Sequence, residues 1–140
     1  MDVYSSPVSK YMIKKVITAT VRETIQSACK NMYENNVGCL VILKRIMSGP
    51  IPVGIITERD IVKIIGSSDL FIGRAAIREF MSSPLITVSS NTTMSQAVDI
   101  MNTNKIRRLP IISKHDDNDK LVGIISDRDI LEAIGKSKKD

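Results

Sequence analysis

The chain has 140 residues, of which 43% are hydrophobic and 25% charged, a composition typical of a globular protein that buries one core. No apolar run approaches the roughly 18 residues that span a bilayer, and the first ten residues lack the apolar stretch of a signal peptide. We therefore expect a soluble, cytoplasmic protein without a membrane partner. The net charge of +5 suits an anionic partner such as a nucleotide, a nucleic acid or an acidic protein surface, and it equally suits an ordinary solvated surface.

The sequence first predicts a short helical turn over residues 5–12 that ends in a methionine, and then a strand over residues 16–18. A helix follows, because Ile25, Ala28, Cys29 and Met32 fall at i, i+3, i+4 and i+7. The chain's two cysteines have neither the spacing of a zinc site nor that of a disulfide framework. We expect both to be reduced core thiols.

The next elements are two strands and a second helix. The unbroken apolar run over residues 40–43 predicts a strand that is covered on both faces. We expect a loop over residues 44–52, a strand over residues 53–56, and a helix over residues 58–65 with its isoleucines facing inward. Gly66 stands where a helix C-cap glycine is expected.

The second half of the chain repeats the first at a distance of 69 positions, because the stretch GIITERD at residues 54–60 returns as GIISDRD at residues 123–129. The predicted elements recur: a turn over residues 75–81, strands over 85–88, 109–112 and 122–125, and a helix over 127–134 with Gly135 at its C-cap. The repeated helical face consists of Met94, Ala97, Val98 and Met101. We expect an α/β (α+β) fold of two βαββα repeats, residues 8–66 and 77–135, joined by a connector over 67–76 and followed by a frayed charged tail over 136–140.

One motif in each repeat has two interpretations. Thr57 with Asp60, and Ser126 with Asp129, fit a capping box, which is the more typical meaning of a single such motif. Alternatively, the helix N-terminus faces an anion, and the carboxylate accepts hydrogen bonds from a vicinal diol such as a ribose. Glycines 54 and 123 would allow a ligand or another backbone to approach the strand closely.

Taken in order, these motifs resemble a tandem pair of CBS domains, also called a Bateman module. The resemblance is carried by GIITERDI and GIISDRDI, by NNVGCLVI and NKIRRLPII, and by lead-ins that end in Met12 and Met81. It covers residues 8–135. It implies two repeats packed about a pseudo-two-fold axis, and pairing into homodimers through helices. The isoleucine-rich terminal helices are candidates for this interface, and their isoleucines equally suit plain core packing. Because nothing outside the pair remains, we expect a free-standing sensor that acts on an unidentified regulated protein.

The resemblance implies binding of adenosine-containing ligands, namely AMP, ADP, ATP or S-adenosylmethionine, in clefts between the repeats. No other cofactor and no metal are expected, because the acidic loop 114–119 lacks the spacing and glycine of an EF-hand. By the family pattern, Asp60 and Asp129 would hold ribose hydroxyls. Thr57 and Ser126 would lie at the ribose and phosphate.

The remaining ligand-binding residues implied by the resemblance are threonines and arginines. Thr18 and Thr87 would line the base pocket. Arg107 and Arg108 match basic positions that face phosphates, and the weaker candidates are Arg59 and Arg128. The first repeat has Gly38 and Cys39 where the second has its arginine pair, so the two sites are expected to differ in occupancy.

Two other classes of function compete with ligand sensing. An enzyme is disfavoured, because the single histidine, His115, lies in the variable acidic loop and neither cysteine has a partner nearby in the sequence. A nucleic-acid-binding or protein-interaction module would use the basic surface. However, the lysines and arginines are scattered, and the five aromatic residues do not interleave with them as a stacking platform requires.

Overall fold

The computed structural model describes residues 2–67, 72–115 and 118–139, which fall into two units. The first-repeat unit is Ile17–Leu85, and the second-repeat unit combines Met1–Val16 with Ile86–Asp140. Residues 68–71 of the predicted connector, residues 116–117 of the acidic loop and the last residue of the predicted tail lie outside the described residues. Each unit contains one three-stranded sheet and two helices.

The first-repeat unit has the sheet order β1-β2-β3. β1 (Thr18–Thr20) runs parallel to β2 (Cys39–Ile46), which pairs antiparallel with β3 (Gly49–Thr57). α1 (Ile25–Asn35) connects β1 to β2, and α2 (Glu58–Ser67) follows β3 directly. A 3-10 turn over Ile77–Glu79 begins the second repeat in sequence but belongs to the first-repeat unit.

The second-repeat unit has the same topology, with β4 (Val88–Ser89), α3 (Met94–Asn104), β5 (Arg108–His115), β6 (Asn118–Ser126) and α4 (Asp127–Lys139) in chain order. Its sheet order is β4-β5-β6, again with one parallel and one antiparallel pair. Two 3-10 turns, Val3–Ser5 and Val8–Lys10, begin the chain. The βαββα prediction is therefore confirmed for both repeats.

The predicted apolar faces form the two cores. Ile25, Ala28 and Met32 of α1 are buried, as are the repeated positions of α3, while Cys29 is only half-buried at the edge of its cluster. Residues 40–42 in β2 are fully buried, which confirms a central strand covered on both faces. α1 and α3 each begin at a threonine N-cap, and Thr93 forms a complete capping box with Gln96.

The loop predicted over residues 44–52 is wrong, because these residues form a hairpin. β2 continues to Ile46, and β3 begins at Gly49, whose φ of 122° permits the sharp turn. Pro50 and Pro52 lie within β3. They are tolerated in β3 because it is an edge strand of the first-repeat sheet, where some backbone N–H groups need no ladder partner. Likewise, β1 and β4 begin at Thr18 and Val88, later than predicted.

The predicted ends of the last helix in each repeat are also wrong. α2 continues through Gly66 to Ser67, whose hydroxyl donates to the Lys63 carbonyl at 2.7 Å. α4 continues through Gly135 to Lys139, so the described part of the predicted frayed tail is helical. An interior glycine costs a helix only about 1 kcal/mol, which the remaining turns can offset.

The stretch before each first strand packs with the opposite repeat. Ile13 exchanges two backbone hydrogen bonds with Ile124, at 2.9 and 3.0 Å, and Ile55 does the same with Ser82, at 3.2 and 2.9 Å. The predicted helical turns in these lead-ins are confirmed as the 3-10 turns of residues 8–10 and 77–79. Each lead-in therefore belongs to the unit whose last strand it pairs with. Ile13 lies in the second-repeat unit with β6, and Ser82 lies in the first-repeat unit with β3.

The terminal helices divide their apolar residues between core and surface. Ile61 of α2 and Ile130 of α4 are buried, as predicted. Ile65, predicted to face inward, is 60% exposed, and two further apolar residues are also exposed, Val62 of α2 at 71% and Leu131 of α4 at 67%. Across the described ranges, no helix is both long and apolar enough to cross a membrane.

Candidate functional site

The hydroxyl-x-x-Asp motifs form reciprocal capping boxes at the starts of α2 and α4. In the first-repeat unit, Thr57 N donates to Asp60 Oδ2 at 2.9 Å, and Asp60 N donates to Thr57 Oγ1 at 3.2 Å. In the second-repeat unit, the Ser126 and Asp129 pair makes the same two bonds at 2.8 and 3.1 Å. The capping interpretation of the motif is therefore confirmed in both repeats.

Capping uses only part of each aspartate. The cap bond falls on Oδ2, and Oδ1 of Asp60 and of Asp129 has no hydrogen-bond partner within residues 2–67, 72–115 and 118–139. A carboxylate offers about four acceptor positions, so each group keeps capacity for further donors. Both carboxylates are half-buried. The capping box thus holds each carboxylate in place and leaves one oxygen available.

The start of the second strand in each sheet lies beside the motif. Glu58 N donates to the Gly38 carbonyl at 2.9 Å, and Asp127 N donates to the Arg107 carbonyl at 2.9 Å. Besides the N–H that donates within the capping box, a further N–H of each helix N-terminus is therefore already bonded to protein. The bond also ties the residues before β2 and β5 to the helix that carries the aspartate.

The two units differ in chemistry at this position. Arg108 pairs with Ser126 across the β5–β6 ladder, and Cys39 occupies the equivalent place opposite Thr57. Arg108 is half-buried and Arg107 is exposed. Neither arginine forms an ion pair with a residue of the described chain. The structure therefore brings the predicted arginine pair beside the Ser126 motif, where its charge is not neutralised by a partner side chain.

The predicted threonines lie further from the motif within their own units. Thr18 begins β1 and pairs with Val41 in β2, so β2 separates it from β3 and from Thr57. Strands are about 4.8 Å apart, which places Thr18 roughly 10 Å from β3 across the sheet. Thr87 directly precedes β4, which has the same relation to β6. Neither threonine is brought into its own unit's capping box.

The weaker candidates, Arg59 and Arg128, are exposed residues in the first turns of α2 and α4. Arg128 Nε lies 3.5 Å from Glu132 Oε1, an exposed pair within one helix. Such surface pairs contribute little to stability. Arg128 is thus partly engaged along its own helix, whereas Arg59 has no ion pair among the residues described.

The motif glycines accommodate the lead-in methionines. A Cβ placed on Gly123 would lie 2.5 Å from Met12 Sδ and 3.1 Å from the Ile13 carbonyl oxygen. On Gly54 it would lie 2.6 Å from Met81 Sδ and 3.0 Å from the Ser82 carbonyl oxygen. Of the two uses proposed for these glycines, the structure shows close approach by another segment of the chain.

The cysteines and acidic residues form no further chemical site in the described part of the chain. Burial raises the pKa of the Cys29 thiol, which disfavours the reactive thiolate. Both Cys29 and Cys39 are half-buried. No cluster of metal-ligating side chains occurs among the residues that the structure describes.

A surface cavity in the second-repeat unit is lined partly by residues that no sequence motif indicates. Its volume is about 390 Å³, and it lies against α4 and the N-terminal segment. Asp129 lines it together with Tyr11, Glu132 and Lys136. The available sequence signal was the difference between repeats, because Glu132 and Lys136 correspond to Lys63 and Ser67 at the 69-residue spacing.

Comparisons with known proteins place these features in a family. Residues 8–67 and 77–136 each match the CBS domain family model. An uncharacterized protein of Methanopyrus kandleri is 39% identical over 119 residues, which cover 85% of this chain and 58% of that protein. An uncharacterized 17.7 kDa protein of Acidianus ambivalens is 38% identical over 130 residues, covering 93% and 74% respectively. The chain thus spans little more than half of the Methanopyrus relative.

A solved structure extends the likeness to the fold. The CBS domain pair of protein MJ0100, crystallised in complex with 5′-methylthioadenosine and S-adenosyl-L-methionine, superimposes with a TM-score of 0.79 at 27% sequence identity. The likeness covers 94% of this chain and 98% of that one.

Proposed function

This chain belongs to the CBS domain family, and from that premise we propose that it is a regulatory, non-catalytic module that binds adenosine-containing ligands. AMP, ADP, ATP and S-adenosylmethionine are the candidate ligands. The proposal is supported by the duplicated hydroxyl-x-x-Asp motif and by the adenosyl ligands bound to the similar CBS domain pair of MJ0100.

The observation that carries the proposal is the position of the two aspartates. Each is fixed by its capping box through Oδ2, while Oδ1 keeps its acceptor capacity. An ionised carboxylate accepts hydrogen bonds only, which suits the two neighbouring hydroxyls of a ribose. Because the side chain is already ordered, little conformational entropy is lost when a ribose binds. Asp60 and Asp129 are therefore the proposed ribose-binding residues.

The arginine pair distinguishes the two units in this proposal. Guanidinium groups bind phosphate oxygens through charge-assisted, often bidentate hydrogen bonds. Arg107 and Arg108 have no ion pair within the described residues and lie beside Ser126, so the second-repeat motif favours phosphorylated ligands. The first-repeat motif has Gly38 and Cys39 there and favours a less anionic ligand.

The test is to separate ligand binding from capping at the aspartates. Asp60→Ala and Asp129→Ala each remove a capping bond and a proposed ribose contact, whereas Gln96→Ala removes the same capping bond in α3 only. All three variants are expected to lose about 0.5 to 2 kcal/mol of stability. Only the aspartate variants should lose about 1 to 3 kcal/mol of AMP affinity, roughly 5- to 150-fold, because a bound hydroxyl loses its partner.

Thermal melts and calorimetry on the same samples measure both effects. A matching comparison of AMP with 2′-deoxy-AMP reports on the ribose directly, because the wild type should discriminate between them and the aspartate variants should not. Lower melting temperatures with unchanged ligand affinity in the aspartate variants would show that the motif only caps the helix and does not bind ribose.

We also propose that the chain forms a homodimer through its terminal helices. Val62 and Ile65 in α2, and Leu131 in α4, are more than half exposed although they are large and apolar. Covering such side chains stabilises an assembly by about 25 cal/mol per Å² of apolar surface removed from water. The regulated protein is proposed to respond to this module.

A further inference from the structure

The cavity along α4 in the second-repeat unit has an apolar floor and a rim of charged side chains. Val3 and Ala133, each 6% exposed, form the apolar floor, and Tyr11 stands at one wall. Asp129, Glu132 and Lys136 supply two carboxylates and an ammonium group. With Ala133, these residues recur at i, i+3, i+4 and i+7, so they share one face of α4. The volume of about 390 Å³ lies within the range of small-molecule sites, roughly 300 to 1,000 Å³.

The residues that line this cavity differ from their counterparts in the first repeat. At the 69-residue spacing, Ala133 corresponds to Ile64 and Tyr11 to Phe80. Ile64 and Phe80 pack against the apolar core of their own unit. The smaller Ala133 therefore leaves space that an isoleucine side chain would occupy, and Tyr11 adds a hydroxyl that phenylalanine lacks.

The charges of the rim also differ between the repeats. Glu132 and Lys136 stand where the first repeat has Lys63 and Ser67. Lys136 has no ion pair with any side chain in the described ranges, and Glu132 is held only by the exposed Arg128 at 3.5 Å. An acceptor for an ammonium group and a donor for a carboxylate thus lie one helical turn apart.

We propose that this cavity binds the zwitterion of an α-amino acid, with the ligand's ammonium at Glu132 and its carboxylate at Lys136. Asp129 belongs both to this cavity and to the proposed ribose site, so the amino acid can be free or can be part of an adenosyl ligand. In the second case the inference rests on the proposed function. Among adenosyl ligands that carry no phosphate, it would then make the second-repeat unit prefer S-adenosylmethionine over 5′-methylthioadenosine, which lacks the amino-acid group.

The experiment measures binding of S-adenosylmethionine, 5′-methylthioadenosine and free L-methionine to the full chain by calorimetry at fixed pH and salt. Lys136→Ser introduces the residue of the first repeat at an exposed position. Lys120→Ser is the matched control, because it removes the same charge from an exposed site in β6 that does not line the cavity. Ala133→Ile fills the cavity with the first repeat's residue, and its melting temperature verifies folding.

The wild type should bind S-adenosylmethionine about tenfold or more tightly than 5′-methylthioadenosine, as expected for one charge-assisted contact. Lys136→Ser and Ala133→Ile should abolish that preference, while 5′-methylthioadenosine affinity and the Lys120→Ser control stay unchanged. Binding of L-methionine that Lys136→Ser abolishes would identify the free amino acid as a source.

Three outcomes would overturn the inference: equal affinity for the two adenosyl ligands with no binding of L-methionine, a preference that survives in Lys136→Ser, or equal effects of Lys136→Ser and Lys120→Ser. The proposed function fails separately, if none of AMP, ADP, ATP and S-adenosylmethionine binds the wild type.

Discussion

The contact between Gly123 and Met12 gives a prediction that the structure makes quantitative. In Gly123→Ala, the new Cβ would lie 2.5 Å from Met12 Sδ, 2.9 Å from Met12 Cγ and 3.1 Å from the Ile13 carbonyl oxygen. The methionine can change rotamer, but the carbonyl belongs to a segment fixed by two hydrogen bonds to Ile124. Overpacking of this kind costs about 1 to 3 kcal/mol.

Gly135→Ala is the control, because a Cβ on this helical glycine meets nothing within 4 Å. It should stabilise α4 by about 0.5 to 1 kcal/mol. At about 4 °C per kcal/mol, thermal melts should show a fall of several degrees for Gly123→Ala and a smaller rise for Gly135→Ala.

The cause of the loss can be tested with a second substitution. Met12→Ala removes the sulfur, so Gly123→Ala should cost less in that background than in the wild type, and the two effects should not add. If Gly123→Ala melts at the wild-type temperature, or if its cost is unchanged when Met12 is shortened, the steric explanation of this glycine is refuted.

Other predictions concern ligands, assembly and thiol chemistry. Replacing Arg107 and Arg108 by alanine should weaken AMP and ATP binding while adenosine binding barely changes; calorimetry at fixed salt checks this, and an equal loss for all three ligands would contradict it. Val62→Glu with Leu131→Glu should convert a dimer to a monomer in light-scattering chromatography, and an unchanged mass would exclude these helices as the interface. Because burial raises its thiol pKa, Cys29 should react with iodoacetamide more slowly in the folded chain than in urea, as peptide mass spectrometry can show; equal rates would contradict this.

The fold could be predicted where the same helical periodicity of apolar residues occurs in both repeats. The face Ile25, Ala28 and Met32 and its copy in α3 are buried because helical spacing places them on one side. Local signals failed where tertiary context opposed them. Pro50 and Pro52 indicate a loop in isolation, yet an edge strand tolerates them. Gly66 and Gly135 indicate helix ends, yet both helices continue beyond them.

The site could be predicted only in part, for a related reason. The capping pairs are local in sequence, so the motif itself reveals them, and Arg108 could be placed beside Ser126 once the strands were aligned. The contact of Met12 with Gly123 joins positions 111 residues apart, and no local pattern indicates it. The cavity beside Tyr11 depends likewise on how the N-terminal segment packs against α4.

The central claim is that the chain binds adenosine-containing ligands without turning them over, and direct calorimetry tests it best. Wild-type protein should be titrated with AMP, ADP, ATP and S-adenosylmethionine, beside the double variant Asp60→Ala with Asp129→Ala. We expect saturable binding of at least one ligand to the wild type, recovery of that ligand intact by chromatography, and a strong loss of affinity in the double variant. If none of the four ligands binds the wild type at millimolar concentration, or if the bound ligand is consumed, the claim is contradicted.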